Sequence, residues 1–338
     1  FRDMPAERLQ VALRNVPHVQ AGIALSIAAG ALFFAAVEAG RKRRWPLEWA
    51  AAAAVLLVFL GNARTNRDFV KAVDIEEYVR ADSLIRKMQE DDDVFRALSA
   101  VPNLYDNVFS IFGIEGTRGF FDNRIRWWDE LASTENVRNA NILNLLNVKY
   151  LVATPGVRHP AFVEEGSEGG KALYRNTDAL PRAFLALNWE VVPRESMIAR
   201  IKQAEFNPRA TALVEEGLAF PSGGADGGDA ILPVEWVEYG PNRLRMRTTS
   251  ERPSLLVVSN AYLPYWRAKI DGEEAPLLRV DYALQGVALP AGEHEVVLAY
   301  RSGPYLASRA VSLAAAALLL AGALASRRST RKKETSVG

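Results

Sequence analysis

The stretch VQAGIALSIAAGALFFAAVEAGRKRRWPLEWAAAAAVLLVFLG, residues 19–61, decides how the rest of the chain is read. An apolar run, Val19–Val37, and a second, Trp45–Gly61, flank the basic residues Arg41-Lys42-Arg43-Arg44. Each run has about the length a helix needs to cross a hydrocarbon layer roughly 30 Å thick. Lys and Arg between two spans stay on the cytoplasmic side, so 38–44 reads as a cytoplasmic loop and 1–18 as the end of an external one. A third apolar run, Tyr305–Ala325, precedes Arg327, Arg328, Arg331, Lys332 and Lys333, a basic tail over 326–338. The two basic clusters agree on one topology, with everything between Gly61 and Tyr305 outside the cytoplasm. Gly22, Ala28, Ala29, Gly30, Ala35 and Ala36 suit a first helix packed closely against others. Glu48 lies about one turn inside the second run, close enough to the surface to snorkel. Pro5–Asn15 reads either as an interfacial helix or as the tail of the external loop.

Composition narrows the function classes. The chain has 338 residues, is 49% hydrophobic and carries a formal net charge of +1. That balance argues against a nucleic-acid partner, which calls for a basic face. There is no cysteine, so neither a disulfide framework nor a thiolate metal site can form. A large external domain without disulfides suits a bacterial envelope, and the expected location is the bacterial inner membrane, multi-pass. The chain begins with Phe1 rather than Met, and we expect it to be the C-terminal part of a longer protein.

Between the outer spans the pattern alternates. Residues 62–214 read as an α+β domain. Phe69, Val73, Tyr78, Leu84 and Ile85 have helical spacing, and Asp91-Asp92-Asp93 reads as a solvated start to a helix over Val94–Leu98. An amphipathic helix over 136–147 runs into an apolar strand, Val148–Ala153. Strand-like runs follow at Ala161–Glu164, Lys171–Arg175 and Arg182–Leu187, then a helix over Arg194–Glu205 and a strand at Thr211–Val214. Pro221-Ser222-Gly223-Gly224 and Gly227-Gly228 mark 215–232 as a linker. Over 233–303 short strands recur about every ten residues, divided by Gly240-Pro241-Asn242, Asp271-Gly272 and Pro290-Ala291-Gly292, the texture of a small β-sandwich. The fold class expected from sequence is therefore membrane α-helical spans, an extracytoplasmic α+β domain and a small β-sandwich.

The candidate site lies in VPNLYDNVFSIFGIEGTRGFFDNRIRWWDE, Val101–Glu130. Aromatic rings beside arginines and carboxylates make a surface for sugars, with ring faces against C–H groups and charged groups against hydroxyls; the same residues also build the edge of an ordinary core. Arg118, Asp122, Arg124, Trp127 and Trp128 are the candidate glycan contacts. Other chemistry was sought without success. His18, His159 and His294 are far apart and make no zinc pattern. Gly166–Lys171 falls one residue short of a phosphate-binding loop and is followed by Ala172. His294 reads as a surface histidine, Asp271-Gly272 as a hairpin turn and Trp266 as a core residue. No catalytic residue, cofactor or metal ligand is expected.

Asn141–Ala153 (NILNLLNVKYLVA) and Ser259–Gly303, followed by an apolar run and a basic tail, resemble the C-terminal part of the YfhO family of bacterial membrane proteins. The matching residues are Tyr262, Pro264, Trp266, Ala268, Asp271, Gly272, Pro290, Ala291, Gly292 and His294, and the departure is Tyr265, where the family has Gly. The resemblance covers about Asp93 to the C-terminus. That family is similar to glycosyltransferases of the GT-C type, which use polyprenyl-phosphate sugars outside the cytoplasm and modify envelope polymers. The resemblance implies a hexosyltransferase-like protein whose catalytic loop lies upstream of Phe1, with the lipid bilayer, a polyprenyl-phosphate sugar and envelope polysaccharide as partners. The alternative is a non-catalytic, membrane-tethered module that binds glycan or protein.

Overall fold

The computed structural model describes residues 80–101, 107–119, 124–222 and 231–334, together with scattered positions between 16 and 59. The chain divides into two compact units, Phe1–Arg80 and Ala81–Gly338. In the first, the described positions from Val16 to Arg41 are helical. Glu38 pairs with Arg41 at 2.7 Å and with Lys42 at 3.0 Å, one turn further along.

The second unit is rich in β-structure. Helix α1 (Ser83–Gln89) starts where the Asp82 side chain accepts from the Ile85 N–H at 2.9 Å, a side-chain N-cap. Then come β1 (Arg96–Ser99), α2 (Asn107–Ile111), β2 (Glu115–Gly116), α3 (Arg126–Leu131), α4 (Ala140–Leu145), β3 (Val148–Ala153), β4 (Phe162–Glu168) and β5 (Lys171–Asn176). These strands form a sheet of order β2-β1-β3-β5-β4, in which β1 runs parallel to both β2 and β3. The connection from β1 to β2 places Phe109 of α2 on one face, with α1 and Tyr150. The connection from β2 back across β1 to β3 places Ile142, Leu143 and Leu145 of α4 on the other.

Next come β6 (Ala183–Ala186), β7 (Asn188–Val191), α5 (Arg194–Ile201), β8 (Thr211–Val214), β9 (Leu232–Pro233), β10 (Glu235–Tyr239), β11 (Arg243–Ser250), β12 (Ser254–Ala261), β13 (Trp266–Ile270), β14 (Glu273–Ala275), β15 (Leu278–Val280), β16 (Leu284–Leu289), β17 (Gly292–Tyr300) and the helix α6 (Gly303–Glu334). They supply a seven-stranded sheet, β7-β8-β15-β16-β12-β6-β9, and a five-stranded antiparallel one, β10-β11-β17-β13-β14. Alternation along β6 and β12 divides two cores. Ala183, Leu185, Leu256 and Val258 face Leu244, Met246, Val296 and Leu298 of the antiparallel sheet. Phe184, Ala186, Leu255 and Val257 face α4, Met197 of α5, and Leu151 and Tyr174 of the first sheet. A strand side-chain period of two makes this division, and it explains why both strands are buried on both faces.

The expected fold class is corrected. Among the described residues no helix is long and apolar enough to cross a membrane. The expected spans Val19–Val37 and Trp45–Gly61 fall in good part outside the described residues, and the remainder does not amount to a spanning helix. Tyr305–Ala325 does become helix, inside α6, with Pro304 at its start, where a missing N–H costs nothing. From Leu320 onward all side chains but that of Ala321 lie outside the described residues, and the described part, Tyr305–Leu319, is shorter than the roughly 20 residues a span needs. Nor do an α+β domain and a self-contained sandwich form side by side. β6 to β9 complete the sheet that faces β10-β11-β17-β13-β14, so the unit is a β-rich, three-sheet fold with few helices.

Local readings changed for similar reasons. Val94–Leu98 does not form a helix, because β1 is claimed by pairing with β3. Asp91 and Asp93 then meet Lys149 of β3, at 2.5 and 2.6 Å, instead of starting a helix. Gly169 and Gly170, with φ of 57° and 76°, turn the β4–β5 hairpin, which accounts for the glycines of the Gly166–Lys171 stretch.

Candidate functional site

Residues that follow parallel strands gather at one end of the first sheet. Ser99–Val101 leave the carboxyl end of β1, and Thr117–Gly119 leave that of β2. The chain reverses about β1 here, and such a switch point opens a crevice outside the carboxyl ends of the strands. A cavity of about 970 Å³ lies there, with an adjoining one of about 600 Å³; Arg118, Arg124 and Asp129 line both. The apolar residues that line the larger one include Leu98, Val137, Leu143, Leu151 and Phe162.

The polar groups of the cleft are held in place. Arg118 donates to the Thr134 hydroxyl at 3.0 Å and to the Ser99 carbonyl at 3.2 Å, so it ties α3's following turn to β1. Arg124 pairs with Asp129 at 3.1 Å. The Trp128 indole N–H donates to the Thr117 carbonyl at 3.0 Å, and the Arg96 guanidinium sits 4.8 Å from its ring centroid. Of the sequence candidates, Arg118, Arg124 and Trp128 thus share one cleft. Asp122 lies outside the described residues. Trp127, the neighbour of Trp128 on α3, lies elsewhere. Arg279 stacks 4.2 Å from its ring centroid, and it borders a separate cavity of about 580 Å³ with Glu215 and Tyr282. Adjacent helix positions diverge by about 100°, which parts the two indoles.

Sequence reasoning missed the polar network beneath the cleft. Arg182 is 1% exposed; it donates to Asn147 Oδ1 (2.8 Å), Glu115 Oε2 (2.7 Å), the Tyr239 hydroxyl (2.9 Å) and the Phe95 carbonyl (3.0 Å). Arg96 donates to the Leu146 carbonyl and the Ser259 hydroxyl at 3.1 Å, and to Asn260 Oδ1 at 2.9 Å. Burial, and then the neighbouring Arg182, lower the Arg96 pKa to about 9. Burial works to raise the Glu115 pKa, but Arg182, the Tyr239 hydroxyl and Arg96 together hold it below the ordinary carboxylate range. Burial and Glu115 push the Tyr239 hydroxyl up to about 12 despite Arg182. One signal was present in the sequence: Arg96 and Arg182 each sit within a run of apolar residues, and a charge there needs a partner.

His294 and Asp271, read separately as surface and turn, are joined: His294 Nδ1 lies 2.7 Å from Asp271 Oδ2. Among the described residues no group of histidines and carboxylates is arranged to hold a metal ion.

No family model matches the chain, and no curated protein matches it. Among solved structures, part of the chain is similar to the arabinofuranosyltransferase AftD from Mycobacteria, seen by single-particle cryo-EM, at 23% identity and a TM-score of 0.20. That likeness covers 21% of this chain and 6% of the other, too little to carry fold or function.

Proposed function

We propose that this chain is the ligand-holding part of a glycosyltransferase-like protein of the bacterial envelope, and that its cleft receives a polyprenyl-phosphate-linked sugar outside the cytoplasm. The observation that carries the reading is the mixed lining of the cleft, in which apolar residues stand with Arg118 and Arg124. An isoprenoid chain would lie on Leu98, Val137, Leu143, Leu151 and Phe162. Arg118 and Arg124 would meet the phosphate, where planar guanidinium groups recognise anionic oxygens well. Ser99, Asn107 and Thr134 would face sugar hydroxyls. The resemblance of Asn141–Ala153 and Ser259–Gly303 to envelope glycosyltransferase-like proteins supports the same ligand class.

The test is binding of a short-chain polyprenyl-phosphate sugar to the whole chain in detergent, beside the free sugar and the uncharged polyprenol. We expect the phosphate-bearing lipid to bind tightest and the Arg118→Ala, Arg124→Ala double variant to lose about 10- to 100-fold in affinity. Equal binding of all three ligands, or an unchanged affinity in the variant, overturns the reading. Binding of envelope polysaccharide alone would favour a carrier-independent glycan module.

A further inference from the structure

The seven-stranded sheet has one weak seam, and a buried carboxyl closes it. β8 meets β15 through a single register pair, Val280↔Val214. Immediately beyond it, Asp281 is wholly buried and takes a φ of 45°, followed by Tyr282 at 77°. A bulky residue in the left-handed region is strained, and such a backbone persists only where its surroundings hold it. What holds it is reciprocal: the Asp281 N–H donates to the Leu213 carbonyl at 2.9 Å, and its Oδ1 accepts from the Leu213 N–H at 2.8 Å. Oδ2 is buried without a partner.

Charged groups on the surrounding elements do not reach this carboxyl. Glu215, just after β8, accepts from Arg194 of α5 at 2.8 Å and from Arg279 of β15 at 2.7 Å. Glu130 of α3 accepts from the Tyr282 hydroxyl and pairs with Arg126 at 2.9 Å. β16 presents Gln285, whose Nε2 donates to the Ala261 carbonyl at 3.0 Å.

We propose that Asp281 is a protonation-controlled clamp that holds the β7–α5–β8 edge on the sheet when neutral and loosens it when ionised. A carboxylic acid can remain buried with one oxygen unpaired far more cheaply than a carboxylate can. When the edge opens, Asp281 reaches water and gives its proton to solvent. Burial raises its pKa in the closed sheet to about 7, against the Leu213 bond, which lowers it. Opening therefore releases a proton and is favoured as pH rises through the interval between the ordinary carboxylate value and about 7; above that the effect levels off. Because Glu215 follows β8 directly, its grip on Arg279 of β15, beside Trp127, loosens with the clamp.

Native-state hydrogen exchange on the whole chain tests this. After correction for the pH dependence of the chemical step, protection at the Leu213 and Asp281 amides should fall by about tenfold per pH unit from pH 5 to 7. The Val257 amide in the sheet centre should not follow. Asp281→Asn, a residue at ease at positive φ, should abolish the slope. Pairing the exchange with a carbon-13 titration of the Asp281 carboxyl in the unaltered chain keeps the test independent of how the variant folds. A slope-free profile at Leu213, or a carboxyl that titrates in the ordinary aspartate range, overturns the clamp.

Discussion

Arg182, just before β6, and Glu115 of β2 stand 67 positions apart in sequence, and their side chains meet at 2.7 Å. Tyr239 of β10 donates to the same carboxylate at 2.5 Å, so one ion pair joins strands from all three sheets. Arg182 is buried while Glu115 is 43% exposed, so truncating the arginine leaves the buried Asn147 and Phe95 acceptors unsatisfied and costs about 1–3 kcal/mol. We expect Arg182→Met to lose that much in urea unfolding, and Arg182→Lys to recover only part, because an ammonium cannot span four acceptors on different strands.

Glu115 sets a pH dependence of the familiar sign. Its folded pKa is depressed, so its contribution is present above the unfolded carboxylate value and is lost as pH falls through the folded one. Glu115→Gln should therefore lower stability at pH 7 and leave it nearly unchanged at pH 2. Melting temperatures at the two pH values check this; an equal loss at both would mean that charge is not what matters at this position.

Gly286 lies where β16 passes β15, and a Cβ there would stand 2.4 Å from Val280 Cγ1. Val280 is fully buried and β-branched, so it has little room to turn away. Gly286→Ala should cost about 1–3 kcal/mol by overpacking, and the paired variant Gly286→Ala with Val280→Ala should recover part of it. Thermal unfolding of the two variants measures the difference.

The two tryptophans should separate function from stability. Trp127 is stacked by Arg279 and by Arg194 at 5.7 Å, away from the cleft. Trp127→Ala should cost about 2 kcal/mol in stability and leave ligand affinity within a factor of about two. Trp128→Ala should weaken binding, because it removes the indole that bonds to the Thr117 carbonyl beside Arg118. Isothermal titration of both variants distinguishes them.

Asp271 and His294 carry two of the residues that suggested a family resemblance, and they form one contact. The hydrogen bond from His294, then that from the Glu295 N–H, holds the Asp271 carboxyl below its ordinary pKa. A carbon-13 titration should place Asp271 low in the unaltered chain and return it toward the ordinary aspartate value in His294→Gln.

Much of the local structure could be read directly. Thr211–Val214 is a strand as its composition suggested, and Asp271-Gly272 is a turn with both residues at positive φ. Most of the runs between Arg243 and Tyr300 are strands because alternation and turn residues agree, but Ala275–Val280 divides into the end of β14 and β15, which lie in different sheets. Val94–Leu98 failed because a short apolar run fits a helix or a strand equally, and only its neighbour β3 decides. The Tyr305 run is helical, as its alanines and leucines favour.

Sequence alone thus determined where most strands and turns after Val148 fall, the aromatic and basic character of Val101–Glu130, and the absence of thiol chemistry. It could do so because those properties depend on residues within a few positions of one another. Tertiary structure alone decided which strands share a sheet, that Trp128 joins Arg118 and Arg124 at a cleft while Trp127 turns to Arg279, and that the buried Arg96 and Arg182 meet the part-exposed Glu115 in one network. These depend on contacts between residues tens of positions apart, and local periodicity carries no record of such distances.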